Sequence, residues 1–273
     1  MTSTAVPEQT PAGVHELVRR WSPEGEPRAR VVLCHGLAEH SGRYEAVGTQ
    51  LAAAGYGVTA YDQIGFGASG GERAWVDQWS DVLDQIQRHV EDAKSTGEPV
   101  ILLGHSVGGL LALEYALSER PQPDLLILSS PALNGGARWQ RITAPILAAI
   151  APKLRVPNAV KGSQLSRDPA VGDAYFADPL VETKTTTRYG NEVFTAIERV
   201  RGAVSGLGVP TLVLHGAADT LVPPQGSALL GELPTVERRL YPALRHELFN
   251  EPEGPEIVAE VVDWIDHQLE SGT

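Results

Sequence analysis

Cysteine is almost missing from this chain. Cys34 stands alone among 273 residues, so no intrachain disulfide can form. It lies in an apolar run, Val-Val-Leu-Cys at 31–34, where a buried structural thiol is expected rather than a nucleophile. Positive charge is also short: 22 Lys and Arg face 34 Asp and Glu, for a formal charge of −12. That balance argues against a nucleic-acid partner and against electrostatic docking on anionic membranes. No apolar run approaches the ~20 residues of a membrane span. The N-terminus shows neither the basic start nor the apolar stretch of a signal peptide, which makes the cytoplasm the expected compartment. No lysine follows a glycine loop as in a phosphate-binding loop, and no clustered His/Cys/Asp pattern calls for a metal. The expectation is therefore no cofactor and no metal. There is no internal repeat.

What remains is an ordinary globular composition, 42% hydrophobic and 21% charged, with a length that suits one large α/β domain carrying an insertion. Residues 1–13 are polar and expected to be loose. An edge strand is expected at Val14–Trp21, and a buried central strand at Arg30–Cys34. The pattern then predicts a helix over Tyr44–Ala54 closed by Gly55, a strand over Gly57–Tyr61, and a helix over Asp77–Ser95 with Trp79, Val82, Ile86 and Val90 on one face. The strand Val100–Leu103, a helix from Ser106 to about Ser118 and the strand Leu125–Leu128 follow. This alternation is the signature of a mostly parallel sheet flanked by helices on both faces. From Asn134 to about Arg188 the rhythm fails. One apolar helix, Trp139–Ile150, is interrupted by Pro145, and no strand pattern is visible. The rhythm resumes with a helix near Glu192–Val204, the strand Thr211–Leu214, a helix at Pro224–Leu230, the strand Glu237–Tyr241 and a last helix, Pro255–Gln268. The expected division is a core at 1–133 and 191–273, with a helical and irregular cap at 134–190.

Chemistry concentrates at Gly104-His105-Ser106-Val107-Gly108, a G-x-S-x-G turn between a buried strand and a helix. Such a turn strains the serine backbone, needs small neighbours and lifts the hydroxyl clear of the sheet. A serine hydroxyl needs a base, and the base needs an orienting carboxylate. In a parallel sheet these must sit on loops beyond the carboxyl ends of strands. Of the eight histidines, His35, His40, His105, His215 and His246 satisfy that rule, whereas His15, His89 and His267 read as structural or solvated. His246, between the last strand and the last helix, is the best base, and Asp219, in LVLHGAADTLVP, is the best acid. The order Ser106, Asp219, His246 is the one used by α/β-hydrolases. Asp62 is a rival acid, but it precedes the serine and reads as a turn former. For the oxyanion hole, the backbone N–H groups of Val107 and Leu37 are the expected donors.

Two motifs point elsewhere and fail. Gly65–Gly70 matches G-x-G-x-x-G, but no helix opens on it. His246-Glu247 begins a zinc motif that Asn250 breaks.

Taken with HGLAEHSGRY (35–44), YDQIGFGASGGER (61–73), GHSVGG (104–109), LSRDP, YFADPLV, HGAADTLVP and RHELFNEPE, the chain resembles the monoacylglycerol lipase family within the α/β-hydrolases, close to its bacterial members. The motifs run in family order over nearly the whole chain. Phe66 departs from a usual histidine, and Val107 from a commoner methionine. The resemblance implies an ester hydrolase that releases glycerol and a fatty acid. It places the triad at Ser106, Asp219 and His246, and the oxyanion hole at Leu37 and Val107. It also implies a cap with an apolar entrance that meets a membrane or micelle. The apolar residues Ile142, Ile146, Leu147 and Ile150 suit either contact with lipid and an acyl chain or plain packing of cap on core. A lysophospholipase or a general carboxylesterase would need the same triad, and a ligand-binding protein on an inactive hydrolase fold is the non-enzymatic alternative. A dehalogenase would carry aspartate at position 106.

Overall fold

Alternate residues of the central strands leave the sheet on opposite faces, and each set finds its own layer of helices. The computed structural model describes residues 3–134, 136 and 138–271. Its strands are β1 (Thr4–Gln9), β2 (His15–Trp21), β3 (Ala29–Cys34), β4 (Tyr56–Tyr61), β5 (Val100–His105), β6 (Leu125–Ser129), β7 (Arg155–Pro157), β8 (Lys184–Thr186), β9 (Thr211–Gly216) and β10 (Val236–Tyr241). Its helices are α1 (Glu45–Ala53), α2 (Trp79–Lys94), α3 (Val107–Ala116), α4 (Arg138–Ile150), α5 (Gly162–Leu165), α6 (Pro169–Ala177), α7 (Thr187–Ala203) and α8 (Gly254–Ser271). Val32, Leu102, Leu126 and Val213 join Ile86 of α2, Leu110 of α3 and Ile197 of α7 in one buried cluster. Leu33, Ile101, Leu103, Ile127 and Leu214 join Leu51 of α1 and Ile257, Val261 and Ile265 of α8 in the other. Each such side chain taken out of water contributes about 1.5–3 kcal/mol.

The main sheet has the order β1-β2-β4-β3-β5-β6-β9-β10. Every pairing from β4 onward is parallel, while β1–β2 and β2–β4 are antiparallel. This is the mostly parallel, helix-flanked sheet expected from the sequence. All parallel strands end on one edge, so the loops after β3, β5, β9 and β10 meet there.

Four local expectations are corrected. Residues 4–9 are not loose: they pair with β2 from Thr4 opposite Arg20 to Gln9 opposite His15. An edge strand exposed on both faces carries no apolar alternation to read. Residues 134–190, where no strand was expected, do contain strands, β7 and β8, an antiparallel pair of three residues each, too short to leave a pattern. Pro145 does not end α4, which runs from Arg138 to Ile150 with the proline on its exposed side. The helix expected at Pro224–Leu230 is present as a 3₁₀ helix and runs on to Glu232. In addition, α7 starts at Thr187, five residues before the expected point, because Thr186 caps it by accepting the Tyr189 N–H at 3.2 Å.

Candidate active site

The turn after β5 is shaped by what cannot fit in it. A Cβ on Gly108 would lie 2.3 Å from the carbonyl oxygens of Cys34 and His35, and one on Gly104 would lie 2.4 Å from that of Gly108. The absence of those side chains lets α3 start directly against β3 and β5. Ser106 takes φ 53° and ψ −118°, a conformation that costs a non-glycine residue on the order of 1–3 kcal/mol.

The structure brings together all three residues singled out as nucleophile, base and acid. Ser106 Oγ lies 2.9 Å from His246 Nε2, and His246 Nδ1 lies 2.7 Å from Asp219 Oδ2. Asp219 is aimed by its other oxygen, which accepts the N–H groups of Leu221 and Val222 at 2.8 Å each. With Nδ1–H donating to the carboxylate, Nε2 is left to accept the serine proton. Burial opposes charge on Asp219, but the His246 imidazole and a hydrogen bond from His215 outweigh it and hold the carboxyl well below its usual range. Burial likewise depresses His246, yet the Asp219 charge prevails and raises the imidazole above its ordinary value.

The two N–H groups expected to meet an oxyanion are oriented through the carbonyls of their own peptide planes. His35 Nε2 accepts the Gln63 N–H at 2.9 Å, so its Nδ1–H donates to the Gly36 carbonyl at 2.7 Å. The peptide is planar and trans, so the Leu37 N–H points the opposite way. The Ser106 carbonyl is similarly taken by the N–H groups of Leu110 at 3.0 Å and Ala132 at 2.9 Å, which turns the Val107 N–H away from α3. Leu37, Ser106, Val107 and His246 line one cavity of about 170 Å³.

One wall of that cavity was not anticipated from the sequence. Glu39 accepts from the Gly36 N–H, the Tyr44 hydroxyl and Arg43, each at 2.6 Å. Arg43 also forks onto both oxygens of Glu247 at 2.7 and 2.8 Å and lies over the Tyr175 ring. Burial disfavours the Glu39 anion, but Arg43, His105, His35 and the Tyr44 hydroxyl together outweigh it and lower its pKa. The signal was present in HGLAEHSGRY, where glutamate and arginine stand four apart. Their side chains meet only because the chain turns through a 3₁₀ segment, Ser41–Tyr44. In the other direction the cavity shares Leu37, Val160, Phe194 and Leu221 with a larger one of about 690 Å³ under α4, bordered also by Trp139, Leu147 and Val156.

Of the remaining candidates, His215 flanks Asp219 with its Nε2 3.4 Å from Oδ2, and the others are placed outside this chain of hydrogen bonds. Asp62 accepts the N–H groups of Ser41 and Ala68 at 2.8 Å each, which makes it the turn former expected. His40 Nε2 lies 2.9 Å from Asp178, His89 Nε2 lies 3.2 Å from Glu16, and His215 Nδ1 meets Ser227 at 2.9 Å. Phe66 is buried between the His35 and Tyr189 rings, so its turn has an apolar role. Cys34 is fully buried, and burial pushes its thiol up to about 12.

A hydroxyl, an imidazole and a carboxylate in line, at the carboxyl edge of a mostly parallel sheet, define the α/β-hydrolase class of enzymes. Within that class the family described as serine aminopeptidase, S33 matches residues 25–253, and the chain belongs to it. It is 36% identical over 262 residues to a protein of Mycolicibacterium smegmatis named monoacylglycerol lipase, covering 93% of each chain. It is 34% identical over 268 residues to human monoglyceride lipase, covering 94% of this chain and 86% of the human one. The crystal structure of Paleococcus ferrophilus monoacylglycerol lipase superimposes with a TM-score of 0.82 at 31% identity, over 92% of this chain and 98% of that one.

Proposed function

We propose that this protein hydrolyses the ester of a monoacylglycerol to glycerol and a free fatty acid through an acyl-enzyme on Ser106. The observation that carries the reading is a relay, Ser106–His246–Asp219, that opens on a cavity with two unlike ends. The end walled by Glu39 and Glu247 offers hydrogen-bond partners to a polyol. The apolar end under α4 has the size and lining to receive an acyl chain. The names borne by the relatives agree with that division.

In this reading His246 Nε2 takes the Ser106 proton as Oγ adds to the acyl carbonyl. The N–H groups of Leu37 and Val107 receive the oxyanion, the catalytic term that is usually largest. Collapse expels the glyceryl oxygen, which collects the proton from His246. A water then enters, gives its proton to His246 and releases the fatty acid by the same two steps. Asp219 keeps the imidazole in the Nδ1–H tautomer and stabilises its cationic form.

Residues 134–190 serve as the cap in this reading. Along α4, Trp139, Ile142, Ile146 and Ile150 are 59–75% exposed and share one face, which suits contact with the membrane or micelle that holds the substrate. Among the described residues no helix is long and apolar enough to cross a membrane.

The test is kinetic. The purified protein is assayed on monoacylglycerols, diacylglycerols, lysophospholipids and simple esters. The highest kcat/KM is expected on a monoacylglycerol. A tenfold preference for a lysophospholipid or for a short simple ester would overturn the substrate assignment. Loss of fluorophosphonate labelling in Ser106→Ala is expected, and retained labelling would remove Ser106 as nucleophile.

A further inference from the structure

Two sequence motifs, LSRDP (165–169) and YFADPLV (175–181), take no part in the chemistry proposed above, yet both lie against it. The first is laced to the loop that carries His246. Gln164 and Leu165 carbonyls accept the N–H groups of His246 at 3.3 Å and Glu247 at 2.8 Å. Arg245 reaches the Ser166 carbonyl at 2.8 Å. At the centre is the carboxylate of Glu251, wholly buried. It accepts from Ser166 Oγ at 3.0 Å, the Arg167 N–H at 2.8 Å and Arg167 Nε at 3.2 Å, all from the insertion. It also accepts the N–H of Arg245, the residue before His246, at 2.7 Å. One carboxylate thus ties the insertion to the peptide that aims the imidazole.

The second motif is tied to the loop that carries Leu37. The Glu182 N–H donates to the Ala38 carbonyl at 2.8 Å. Ala38 has φ 75°, in the left-handed region that a residue with a Cβ leaves unless held. Beside it, His40 Nδ1 accepts the Gly42 N–H at 3.1 Å, so its Nε2–H is the donor to Asp178 Oδ2 at 2.9 Å. Asp178 is itself fixed by accepting the Leu180 N–H at 2.8 Å.

We propose that residues 164–182 are a fixed brace rather than part of a moving lid. They set the distance between His246 and the Leu37 loop, and Glu251, Ser166 and Asp178 act as positioning residues. These residues cannot travel with α4 without breaking the bonds described, so any opening of the cap is confined to the stretch before them. The proposal rests on the triad reading. It matters because both groups must meet the same tetrahedral carbon, and small misplacements at that point are costly in rate.

The test uses the full chain and a soluble chromogenic butyrate ester, so that lipid binding does not enter. Ser166→Ala removes one donor to Glu251. Asp178→Ala removes the acceptor of both the His40 Nε2–H and the Leu180 N–H. Each variant is expected to lose on the order of tenfold in kcat and in fluorophosphonate labelling rate, with KM within about twofold. Ile86→Val, in the core away from the site, matches a loss of thermal stability and is expected to leave kcat unchanged. Wild-type kcat in both variants would overturn the brace, as would a raised KM at constant kcat, or an equal kcat loss in Ile86→Val. Failure of the wild-type protein to label at all would overturn the triad reading, and the brace with it, whereas normal wild-type labelling with normal variants would sink the brace alone.

Discussion

His105 and His246 sit with ring centroids 4.9 Å apart, tilted by 52°, one preceding Ser106 in the chain and the other arriving from 140 residues away. The distant one is hydrogen-bonded to a carboxylate, Asp219, whereas His105 Nδ1 meets the Ser129 hydroxyl at 3.3 Å. Burial and the neighbouring His246 depress His105 to about 4, whereas Asp219 raises His246. Two imidazoles in contact therefore hold opposite protonation tendencies, and only one is poised to exchange a proton near neutrality.

A pH dependence follows. The base form of His246 is the neutral one, so activity is lost as pH falls through its pKa, which the Asp219 carboxylate holds above that of an ordinary imidazole. The acid limb of kcat/KM is expected above the position of a free imidazole. Asp219→Asn removes the charge that raises it and misdirects the tautomer. That variant should lose on the order of 10⁴ in kcat, as the equivalent change does in serine proteases, and its residual acid limb should shift to lower pH. A pH–rate profile of both proteins checks the sign.

Backbone strain at Ser106 gives a stability comparison that does not depend on activity. Ser106→Ala and Ser106→Gly both lose the hydroxyl, but only glycine tolerates φ 53° without strain. Urea denaturation should find the glycine variant more stable than the alanine variant by about 1 kcal/mol. Gly108→Ala should go the other way. Its methyl would meet two carbonyl oxygens at 2.3 Å, and a loss of more than about 3 kcal/mol, or failure to fold, is expected in the same assay.

Arg43 pairs with two carboxylates whose side chains are each 5% exposed. Arg43→Met strands them, at about 3–5 kcal/mol at neutral pH. The penalty requires charge, so it should shrink as pH falls and Glu39, no longer held down by the Arg43 guanidinium in the variant, takes up a proton. Denaturation midpoints of wild type and variant should therefore converge toward acid, and a pH-independent gap would mean that lost packing dominates.

The exposed face of α4 yields a separation of binding from folding. Ile142→Ser and Ile146→Ser change side chains that are 60% and 59% exposed, so stability should move by no more than about 0.5 kcal/mol. Co-sedimentation with zwitterionic liposomes should drop, with activity on a dissolved short ester retained. Undiminished sedimentation would assign that face another role.

The sheet was legible because its strands are buried on both faces and read as continuous apolar runs, as in Val31–Cys34 and Ile101–Leu103. Ser106, Asp219 and His246 were legible because loop position and chain order restrict the choice. β1 was not, since an exposed edge strand is held by backbone pairing alone. Nor was the wall of Glu39, Arg43 and Glu247, where one partner lies 204 residues from another. The roles of Gly36 and Ser106 in aiming their neighbours' N–H groups were hidden for a different reason: they are set by which carbonyls are already engaged.

The contact of Gly108 with the carbonyls of Cys34 and His35 has one more consequence. It welds the helix that follows Ser106 to the strand that leads to Leu37, main chain against main chain, with no side chain between them to vary. Inheritance can tinker with the roof, where Trp139, Leu147 and Phe194 border the acyl-sized space, while the floor admits no such tinkering. New substrate preferences in this lineage should therefore arise by exchange of roof residues, leaving the reactive machinery beneath them in register.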